Sequence, residues 1–201
     1  MEGSDLILDL YQRRAHDWDR ERGRGLFERP WLDRFATLLP PGGSVIDIGC
    51  GAGEPIARHF IEQGFAVTGI DGAPAMIALC RTRFPGGDFL AADMRSLALG
   101  RRFDGILAWD SFFHLRPDDQ RAMFAVFARH AAPGAALMFT SGPSRGEVIG
   151  TFHGEPLYHA SLAPEEYRAL LAANGFSVVA HVAEDSACGD HTVWLARNGN
   201  A

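Results

Sequence analysis

Short apolar runs alternate with segments of helical periodicity along the chain from Ser44 onward. The apolar runs are rich in β-branched and aromatic residues, so they predict strands. The strands are expected near 44–48, 65–70, 88–91, 103–109 and 135–141, and the helices between them near 54–63, 73–83 and 117–131. Alternation of strands and helices is typical of a doubly wound, mostly parallel sheet with helices on both faces. The predicted fold class is therefore α/β with a Rossmann-like sheet.

Additional elements are predicted on both sides of this alternating core. Two helices, near 4–20 and 29–39, come before the first strand, and another near 163–173 comes late in the chain. Two strand-like runs follow, Phe176–Glu184 and His191–Arg197, with a short turn-rich link between them. Because a link this short joins antiparallel strands, the sheet is predicted to end in a C-terminal antiparallel hairpin.

The segment Gly142–Ala160 contains many glycines and prolines but little periodicity. It is predicted to be a long loop, and loops of this length inside a domain are often functional. The loop follows the fifth strand, at the carboxyl edge where doubly wound sheets bind ligands. Phe152, His153, Tyr158 and His159 are therefore candidates to face a substrate. The alternative is a mobile surface loop.

Three alternate glycines, Gly49, Gly51 and Gly53, follow the first predicted strand and its acidic residue Asp47. Without a Cβ the backbone turns tightly, and a ligand can lie directly on it. Asp71 ends the second strand, where a nucleoside's ribose hydroxyls need an acceptor. The pattern predicts a nucleoside-cofactor site. Alternatively, Asp47 is a turn residue, and Asp71 is a solvated cap of the helix that follows it.

The residue after the glycines discriminates between cofactors. Glu54 occupies the position of the third glycine in the dinucleotide fingerprint G-x-G-x-x-G. A carboxylate at a helix N-terminus repels a pyrophosphate, which disfavours an NAD-dependent oxidoreductase. A cofactor without phosphate and with a positive centre fits better, and S-adenosylmethionine has both properties.

On these residues the chain resembles the class I S-adenosylmethionine-dependent methyltransferases of the small-molecule type. Asp47-Ile48-Gly49-Cys50-Gly51-Ala52-Gly53 matches their first motif, D/E-x-G-x-G-x-G. Asp71, Asp93 and Asp110 stand where the family has its second, third and fourth motifs, after successive strands. The stretch from Tyr11 to Asp19 is similar to the Y-x-x-x-A-x-x-Y/W-D pattern that precedes the core in many members.

The resemblance implies a role for each of these positions. Asp71 is expected to grip the ribose hydroxyls, and Asp93 to accept from the adenine amino group. Tyr11 and Trp18 are expected to form a lid over the cofactor, unless they only pack the N-terminal helix onto the core. The candidate cofactor-binding residues are Tyr11, Trp18, Asp47, Gly49, Cys50, Gly51, Gly53, Asp71, Gly72, Met76, Asp93, Met94, Asp110 and Ser111.

Methyl transfer needs an aligned nucleophile and, for some acceptors, a base. His114, after the fourth strand, is the first candidate base because the pKa of histidine lies near neutrality; a packing histidine is the alternative. His159 and His153 are the second candidates, with Tyr158 as an orienting hydroxyl. Asp110 is expected to touch the methionine end of the cofactor instead, because an ordinary carboxyl has a low pKa.

Signatures of several methyltransferase subclasses are missing from the chain. Asp110 is not followed by the Pro-Pro of amino-methyltransferases, and neither Cys80 nor Cys188 has the Pro-Cys context of cytosine-C5 enzymes. Thr140–Pro143 offers no second acidic ligand for a metal-assisted catechol site. Cys188-Gly189-Asp190-His191 resembles a metal cluster but lies in a turn without a partner pair, so no metal is expected.

Length and composition limit the setting. The 201 residues are expected to form a single domain, with an N-terminal helical lid (1–40) and a Rossmann-like core (44–201). A net charge of −6 argues against a nucleic-acid partner, and Arg20–Arg24 is interpreted as a solvated helix end. Three unpaired cysteines, no visible signal peptide and no long apolar run predict a cytoplasmic protein without membrane contact, a monomer or homodimer.

The sequence therefore predicts an enzyme that transfers a methyl group from S-adenosylmethionine to an oxygen, nitrogen or sulfur nucleophile of a small molecule. Two alternatives are kept. One is a methyltransferase-like module that binds the cofactor without turnover, because small-molecule members share no invariant base. The other is an NAD-dependent oxidoreductase, which Glu54 disfavours.

Overall fold

A seven-stranded sheet is the centre of the computed structural model, which describes residues 6–199. The helices are α1 (Ile7–Arg22), α2 (Arg29–Ala36), α3 (Ile56–Glu62), α4 (Pro74–Arg83), α5 (Pro117–His130) and α6 (Pro164–Ala173). The strands are β1 (Ser44–Ile48), β2 (Ala66–Asp71), β3 (Asp88–Ala91), β4 (Phe103–Ala108), β5 (Ala131–Ser141), β6 (Gly146–Phe152), β7 (Glu155–Ser161), β8 (Phe176–Asp185) and β9 (His191–Asn198).

The strand order of the large sheet is β3-β2-β1-β4-β5-β9-β8. The five strands from β3 to β5 are parallel, and β9 is antiparallel to both of its neighbours. The predicted α/β fold and its C-terminal antiparallel hairpin are confirmed. The order in which the strands are added changes direction at β1. The strands β2 and β3 lie on one side of β1, and β4 and β5 lie on the other. In doubly wound sheets the crevice outside the carboxyl ends at such a reversal is where ligands bind.

The two faces of the sheet are covered by different helices. On one face α5 and α6 pack against β4, β5 and β9, where Phe112, Phe124, Phe139, Tyr167 and Trp194 form a cluster of contacting rings. On the other face α2 and α3 pack against β1, β4, β5 and β9. Because the central strands are buried on both faces, their sequences read as continuous apolar runs.

The predicted loop 142–160 is wrong, because most of it forms a separate antiparallel hairpin of β6 and β7. His153 (φ 50°) and Gly154 (φ 76°) form a two-residue turn with both φ angles positive, the usual geometry of a tight hairpin. The hairpin escaped prediction because β6 is mostly solvent-exposed, with Val148 at 64% and Ile149 at 67% exposure, so it lacks an apolar period. Gly154, directly after His153, was the sequence feature that could have indicated this turn.

The other element bounds agree with the sequence within a few residues, except at β5. This strand was expected to begin near 135, but it begins at Ala131 and includes Pro133 and Gly134. Phe103 pairs with Ala131 and Gly105 pairs with Ala136, so a bulge accommodates the extra residues. The predicted helix near 4–20 begins at Ile7 within the described residues, and residues 4 and 5 lie outside them.

The predicted solvated end of α1 is instead an ion-paired segment. Arg22 binds the fully buried carboxylate of Glu28, and Arg24 binds the buried carboxylate of Glu54. The helix itself ends at Arg22. These pairs join the N-terminal segment to the core near the glycine-rich turn. Among residues 6–199, no helix has the length and apolarity that a membrane crossing requires.

Candidate active site

Two adjoining cavities open at the carboxyl ends of β1, β2 and β4. The first has a volume of about 710 Å³, and the second about 1190 Å³. The residues that line both cavities, and so form the boundary between them, are Tyr11, Trp18, Gly49, Asp110 and His114. The first cavity is also lined by Ile7, Leu8, Gly51, Asp71, Gly72, Met76, Asp93, Met94, Arg95, Ser111 and Leu115. The structure thus brings most of the predicted site residues to one edge of the sheet.

Two glycines of the first motif allow a close approach to the cavities. A Cβ on Gly49 would lie 2.2 Å from the Cβ of Ser111, and a Cβ on Gly51 would lie 2.8 Å from the Trp18 ring. Both residues have positive φ angles, 83° and 53°. The backbone here therefore requires glycine both for its conformation and for the space beside it.

Two other predicted cofactor contacts of this motif are corrected by the structure. Gly53 lines neither cavity; a Cβ there would meet the Phe84 ring at 2.9 Å and the Cys80 sulfur at 3.2 Å, so this glycine serves packing. The Cys50 side chain is buried in an apolar cluster with Cys80, although the residue borders the second cavity. These two residues therefore serve packing beneath the glycine turn.

The Asp71 carboxylate binds two backbone amides and also lines a cavity. One carboxylate oxygen accepts from the amide of Gly51 at 2.9 Å, and the other accepts from the amide of Ala73 at 2.8 Å. Burial raises the pKa of Asp71 to about 6, although the two amides favour its charged form. Asp71 therefore organises the glycine turn and faces the first cavity.

Asp47 lies deeper, at the second cavity, with an exposure of 3%. Burial, and then the negative charge of Asp71, raise its pKa to about 7. Within residues 6–199 no group donates a hydrogen bond to its side chain. A buried carboxyl group without a partner is costly, so this position is suited to a cationic or hydrogen-bond-donating ligand.

Asp93 and Met94 line the first cavity beyond Asp71. Asp93 caps a single-turn 3-10 helix by accepting from the backbone amide of Arg95 at 2.9 Å. The Arg95 guanidinium also binds both carboxylate oxygens and lowers the pKa of Asp93. Met76 is buried beneath the same wall. This end of the cavity therefore has thioether walls and one charge-balanced carboxylate.

His114 has both ring nitrogens engaged. Its Nδ1 lies 2.8 Å from the carbonyl oxygen of Tyr158, which can only accept, so Nδ1 carries the proton. Its Nε2, 3.1 Å from the Tyr11 hydroxyl, must therefore accept from that hydroxyl. Burial lowers the pKa of His114 to about 4. The ring is a neutral acceptor whose lone pair is already used by Tyr11, which makes it a weak candidate for a base.

His159 is placed differently. Its ring stacks on that of His114 with centroids 4.9 Å apart, and it lines the second cavity. Burial lowers its pKa below the usual value, so the ring is neutral near neutral pH. Within residues 6–199 neither nitrogen has a hydrogen-bond partner. His159 thus has a free lone pair next to the boundary between the cavities.

Three other candidates on this hairpin are not brought to either cavity. His153 lies at the tip of the hairpin and pairs with Glu21 at 2.7 Å. The hydroxyl of Tyr158 donates to Glu147 at 2.6 Å, so it does not orient a substrate. Phe152 packs beside His153. The antiparallel pairing turns these side chains away, which the predicted loop did not anticipate.

Comparisons with known proteins agree with this geometry. Residues 45–134 match the family model described as a methyltransferase domain. The chain is 29% identical over 137 residues to dTDP-4-amino-2,3,4,6-tetradeoxy-D-glucose N,N-dimethyltransferase of Saccharopolyspora spinosa, covering 67% of this chain and 52% of that one. It is 29% identical to trans-aconitate 2-methyltransferase of Methylobacterium nodulans, covering 81% and 70%.

Solved structures give the same fold. An amino pentose methyltransferase from Micromonospora echinaspora with bound S-adenosylmethionine superposes with a TM-score of 0.71 at 23% identity, over 91% of this chain and 95% of that one. A Burkholderia thailandensis 1,6-didemethyltoxoflavin-N1-methyltransferase gives 0.75 at 23% identity, over 98% and 88%. The chain thus has the fold of class I S-adenosylmethionine-dependent methyltransferases, and its residues 45–134 match a methyltransferase domain.

The argument from Glu54 against a dinucleotide is weaker in the structure than the sequence suggested. Glu54 was expected to repel a pyrophosphate, but its buried carboxylate binds Arg24 and Arg58, with Arg83 at 3.7 Å. Its charge is therefore compensated, and the repulsion is reduced. The preference against a dinucleotide rests instead on the similarity of residues 45–134 to a methyltransferase domain.

The sequence patterns did not indicate a group of side chains on the wall of the second cavity, formed by Trp109, Asp110 and His191. Trp109 and His191 line this cavity, and His191 Nε2 lies 3.0 Å from an oxygen of Asp110. Among the described residues no three His, Cys, Asp or Glu side chains are arranged to hold an ion. Only the pairing of β9 with β5 brings His191 beside Asp110, so no local signal was available.

The buried state of His114 predicts a pH dependence of stability. The folded pKa (about 4) lies below the unfolded value of about 6.5, so the unfolded chain binds more protons between these values. Stability should therefore fall as the pH drops through this window, by about 3 kcal/mol in total. Urea unfolding of the wild type and His114→Gln over this range should show the larger acid loss in the wild type.

The comparison of the two proteins isolates His114. The raised pKa values of Asp47 and Asp71 give contributions of the opposite sign, but these are present in both proteins and cancel in the difference. Identical pH dependence of the wild type and the variant would contradict a neutral, buried His114.

Proposed function

We propose that the chain transfers a methyl group from S-adenosylmethionine to an oxygen, nitrogen or sulfur nucleophile of a small molecule. The observation that carries this proposal is the glycine turn at the boundary of two cavities, with Asp71 facing one and the unpartnered Asp47 facing the other. A nucleoside requires the first group, and a ligand with an ammonium requires the second. The similarity of residues 45–134 to a methyltransferase domain supports the same cofactor.

The residues of the first cavity fit the nucleoside part of this cofactor. Asp71 keeps lone pairs free of its two amide donors, and these can accept from ribose hydroxyls. Gly72 also lines this cavity, and Met76 and Met94 supply apolar walls for adenine, with Asp93 beside them. The cofactor supplies an electrophilic methyl group on a sulfonium.

The boundary residues fit its amino-acid part. Asp47 and Asp110 offer carboxylates to an ammonium, Ser111 and Gly49 line the wall between them, and the Tyr11 hydroxyl lies nearby. Because the Tyr11 hydroxyl donates its hydrogen bond to His114, the oxygen of Tyr11 remains available as an acceptor. This arrangement turns electron-rich atoms toward the place where the sulfonium would lie, which favours a cation there.

We propose that the N-terminal segment, residues 1–40, acts as a lid on a Rossmann-like core, residues 44–201. Within the described part, α1 places Tyr11 and Trp18 over the glycine turn. Ion pairs hold the helix on both sides, from Arg13 to Glu155 of the β6–β7 hairpin and from Asp19 to Arg83 of α4. An aromatic ring over a sulfonium also provides a cation–π contact.

We propose His159 as the group that accepts the acceptor's proton, and His114 as the group that positions Tyr11. His159 has a free lone pair and faces the second cavity, which we assign to the acceptor. The aromatic walls of that cavity, Trp109 and Phe113, suit a compact and partly apolar molecule. The chain spans between about half and two thirds of the length of the first curated relatives that it matches. Because so much of each relative has no counterpart here, the acceptor is proposed only as a class.

The remaining expectations are kept as parts of this proposal. The relatives include methyltransferases named for an amino sugar nucleotide and for trans-aconitate, which supports a small-molecule acceptor. A net charge of −6 disfavours nucleic acid. A cytoplasmic location and a monomeric or homodimeric state agree with the composition. The free lone pair of His159 at the second cavity favours a catalyst over a module that binds the cofactor without turnover.

Thermal unfolding with S-adenosylhomocysteine, S-adenosylmethionine and NAD tests the cofactor. A ligand specific for the native state stabilises it by about 2.7 kcal/mol at a hundredfold excess over its dissociation constant. The two sulfur nucleosides should raise the melting temperature and NAD should not. Asp71→Ala should reduce the shift, whereas Asp88→Ala, at the opposite edge of the sheet, should not. A shift with NAD alone would contradict the proposal.

A further inference from the structure

Asp110 occupies an unusual position for a non-glycine residue. It follows β4, lines both cavities, and has a positive φ angle of 47°. Its amide donates to the Thr140 hydroxyl at 2.9 Å, and this hydroxyl donates to one oxygen of its carboxylate at 3.2 Å. Strained backbone persists where surrounding contacts over-determine it, and such positions cluster at functional sites. The direction of this carboxylate is therefore controlled by its neighbours.

His191, the first residue of β9, provides the second contact. Its Nε2 lies 3.0 Å from the other oxygen of Asp110. Its Nδ1 lies 2.8 Å from the carbonyl of Cys188 and 3.1 Å from that of Gly189. Because carbonyl and carboxylate oxygens only accept, both ring nitrogens donate and the ring is an imidazolium. Although His191 borders the second cavity, it therefore has no lone pair with which to act as a base.

Two aromatic rings also pack against the His191 ring. It stacks on Trp109, with centroids 5.5 Å apart and planes 22° apart, and the Phe27 ring is tilted against it with its centroid 5.3 Å away. The guanidinium of Arg22 lies over the Phe27 ring at 5.2 Å. Two cations thus alternate with two aromatic rings, an arrangement that cation–π attraction favours. Such a stack restricts the His191 ring to one orientation, the one that meets Asp110.

We propose that His191 is a positioning residue: it holds the Asp110 carboxylate at the boundary of the two cavities, in the direction required to bind the cofactor. The inference rests on the proposed function, since that function places Asp110 beside the cofactor's amino-acid part. His191 itself touches neither cofactor nor acceptor in this role. It acts through Asp110.

The geometry also determines what happens when the imidazolium loses a proton. The neutral ring keeps its proton on Nδ1, which faces two carbonyls, so the proton is lost from Nε2. A lone pair then faces the Asp110 oxygen, and attraction becomes repulsion. The hydrogen bond with Asp110 raises the pKa of His191 to about 9, so this change falls above neutral pH. Affinity for the cofactor should therefore be retained below this value and weaken above it.

The other charged and titratable groups around His191 agree with this sign. Glu28, before α2, interacts with it through space and is itself paired with Arg22 of α1. Asp185, at the end of β8, pairs with it across the hairpin and binds Trp31. Cys188 is buried, with its pKa raised to about 11 by burial and nearby carboxylates, so it stays neutral. Glu184, near the end of β8, and Asp190, directly before β9, line the same cavity as His191.

Calorimetric titration with S-adenosylhomocysteine tests the inference without turnover. His191→Phe should raise the dissociation constant about tenfold, the order expected for one charge-assisted hydrogen bond. His191→Gln, which keeps a donor near the ε position, should stay within about threefold of the wild type. Between about pH 7 and about pH 10 the wild type should lose more affinity than His191→Gln, in which the ligand's own ammonium still titrates but the imidazolium is absent. His181→Gln, on β8 away from both cavities, should behave as wild type.

A second readout does not depend on the cofactor. The imidazole NMR signals of His191 should titrate near 9 in the wild type, and in Asp110→Asn near the ordinary value of about 6.5. Equal affinities and pH profiles in the wild type and His191→Phe would overturn the positioning role. If the wild type binds no S-adenosylhomocysteine, the proposed function fails instead. The NMR titration of His191 then tests its contact with Asp110 on its own. A midpoint near the ordinary histidine value in the wild type, unchanged in Asp110→Asn, would overturn that contact.

Discussion

Gly49→Ala is expected to abolish measurable S-adenosylhomocysteine binding and to lower the free energy of unfolding by about 2–4 kcal/mol. Two effects add at this position. Alanine is strained at a φ angle of 83°, and its Cβ would lie 2.2 Å from the Cβ of Ser111. To relieve the collision, either the turn or Ser111 must move. Because Ser111 is bound to the carbonyl of Ile48 at 2.6 Å, the displacement reaches the carboxyl end of β1.

Gly86→Ala is a matched control for the backbone term. Gly86 has the same φ angle of 83°, but no atom lies within 4 Å of the Cβ that alanine would add. This variant should lose about 1 kcal/mol of stability and bind S-adenosylhomocysteine as the wild type does. Urea unfolding and calorimetry of both variants separate strain from collision. Equal losses in the two proteins, with binding retained in Gly49→Ala, would contradict the role assigned to this turn.

His159→Gln is expected to lower kcat about 10²- to 10⁴-fold for an acceptor whose proton must be removed. The affinity for S-adenosylhomocysteine should change little, because His159 lines only the second cavity. The acceptor is to be found by screening small amines, alcohols and thiols for product formation. The acid limb of the wild-type pH–rate profile should lie below the ordinary histidine pKa, because burial lowers the pKa of His159.

His153→Asn is the matched control on the same hairpin. His153 lies at the turn and pairs with Glu21, away from both cavities, and asparagine tolerates its positive φ angle. Its kcat should equal that of the wild type. If His159→Gln also keeps wild-type kcat and the same pH profile, then His159 is not the base, and positioning of the acceptor would account for turnover.

The central strands and the glycine turn could be predicted because their information is local. A buried parallel strand reads as an apolar run, and the backbone of a tight turn demands glycine at Gly49 and Gly51 whatever surrounds it. The acidic residue that ends β2 is recognisable for the same reason, because it comes directly after an apolar run. These local signals were enough for the fold class and for the edge of the sheet at which the site lies.

The β6–β7 hairpin shows where local information fails. Its strand β6 packs little against the core, so its residues carry no apolar period, and the chain was predicted as a loop. His159 was nevertheless a candidate because its position after β5 depended only on strand order. His153 and Tyr158 were candidates for the same reason, and the pairing of the hairpin then turned them to other partners.

The sequence by itself determined the fold, the glycine turn and the acidic residues at the strand ends, since each depends on neighbours along the chain. Only the tertiary structure decided which histidine can take up a proton. His114 lost its free lone pair to Tyr11, and His191 became an imidazolium beside Asp110. A side chain's protonation depends on burial and on partners brought from distant segments. Those partners, Tyr11 and Tyr158 for one ring and Asp110 for the other, come together only when the sheet is assembled.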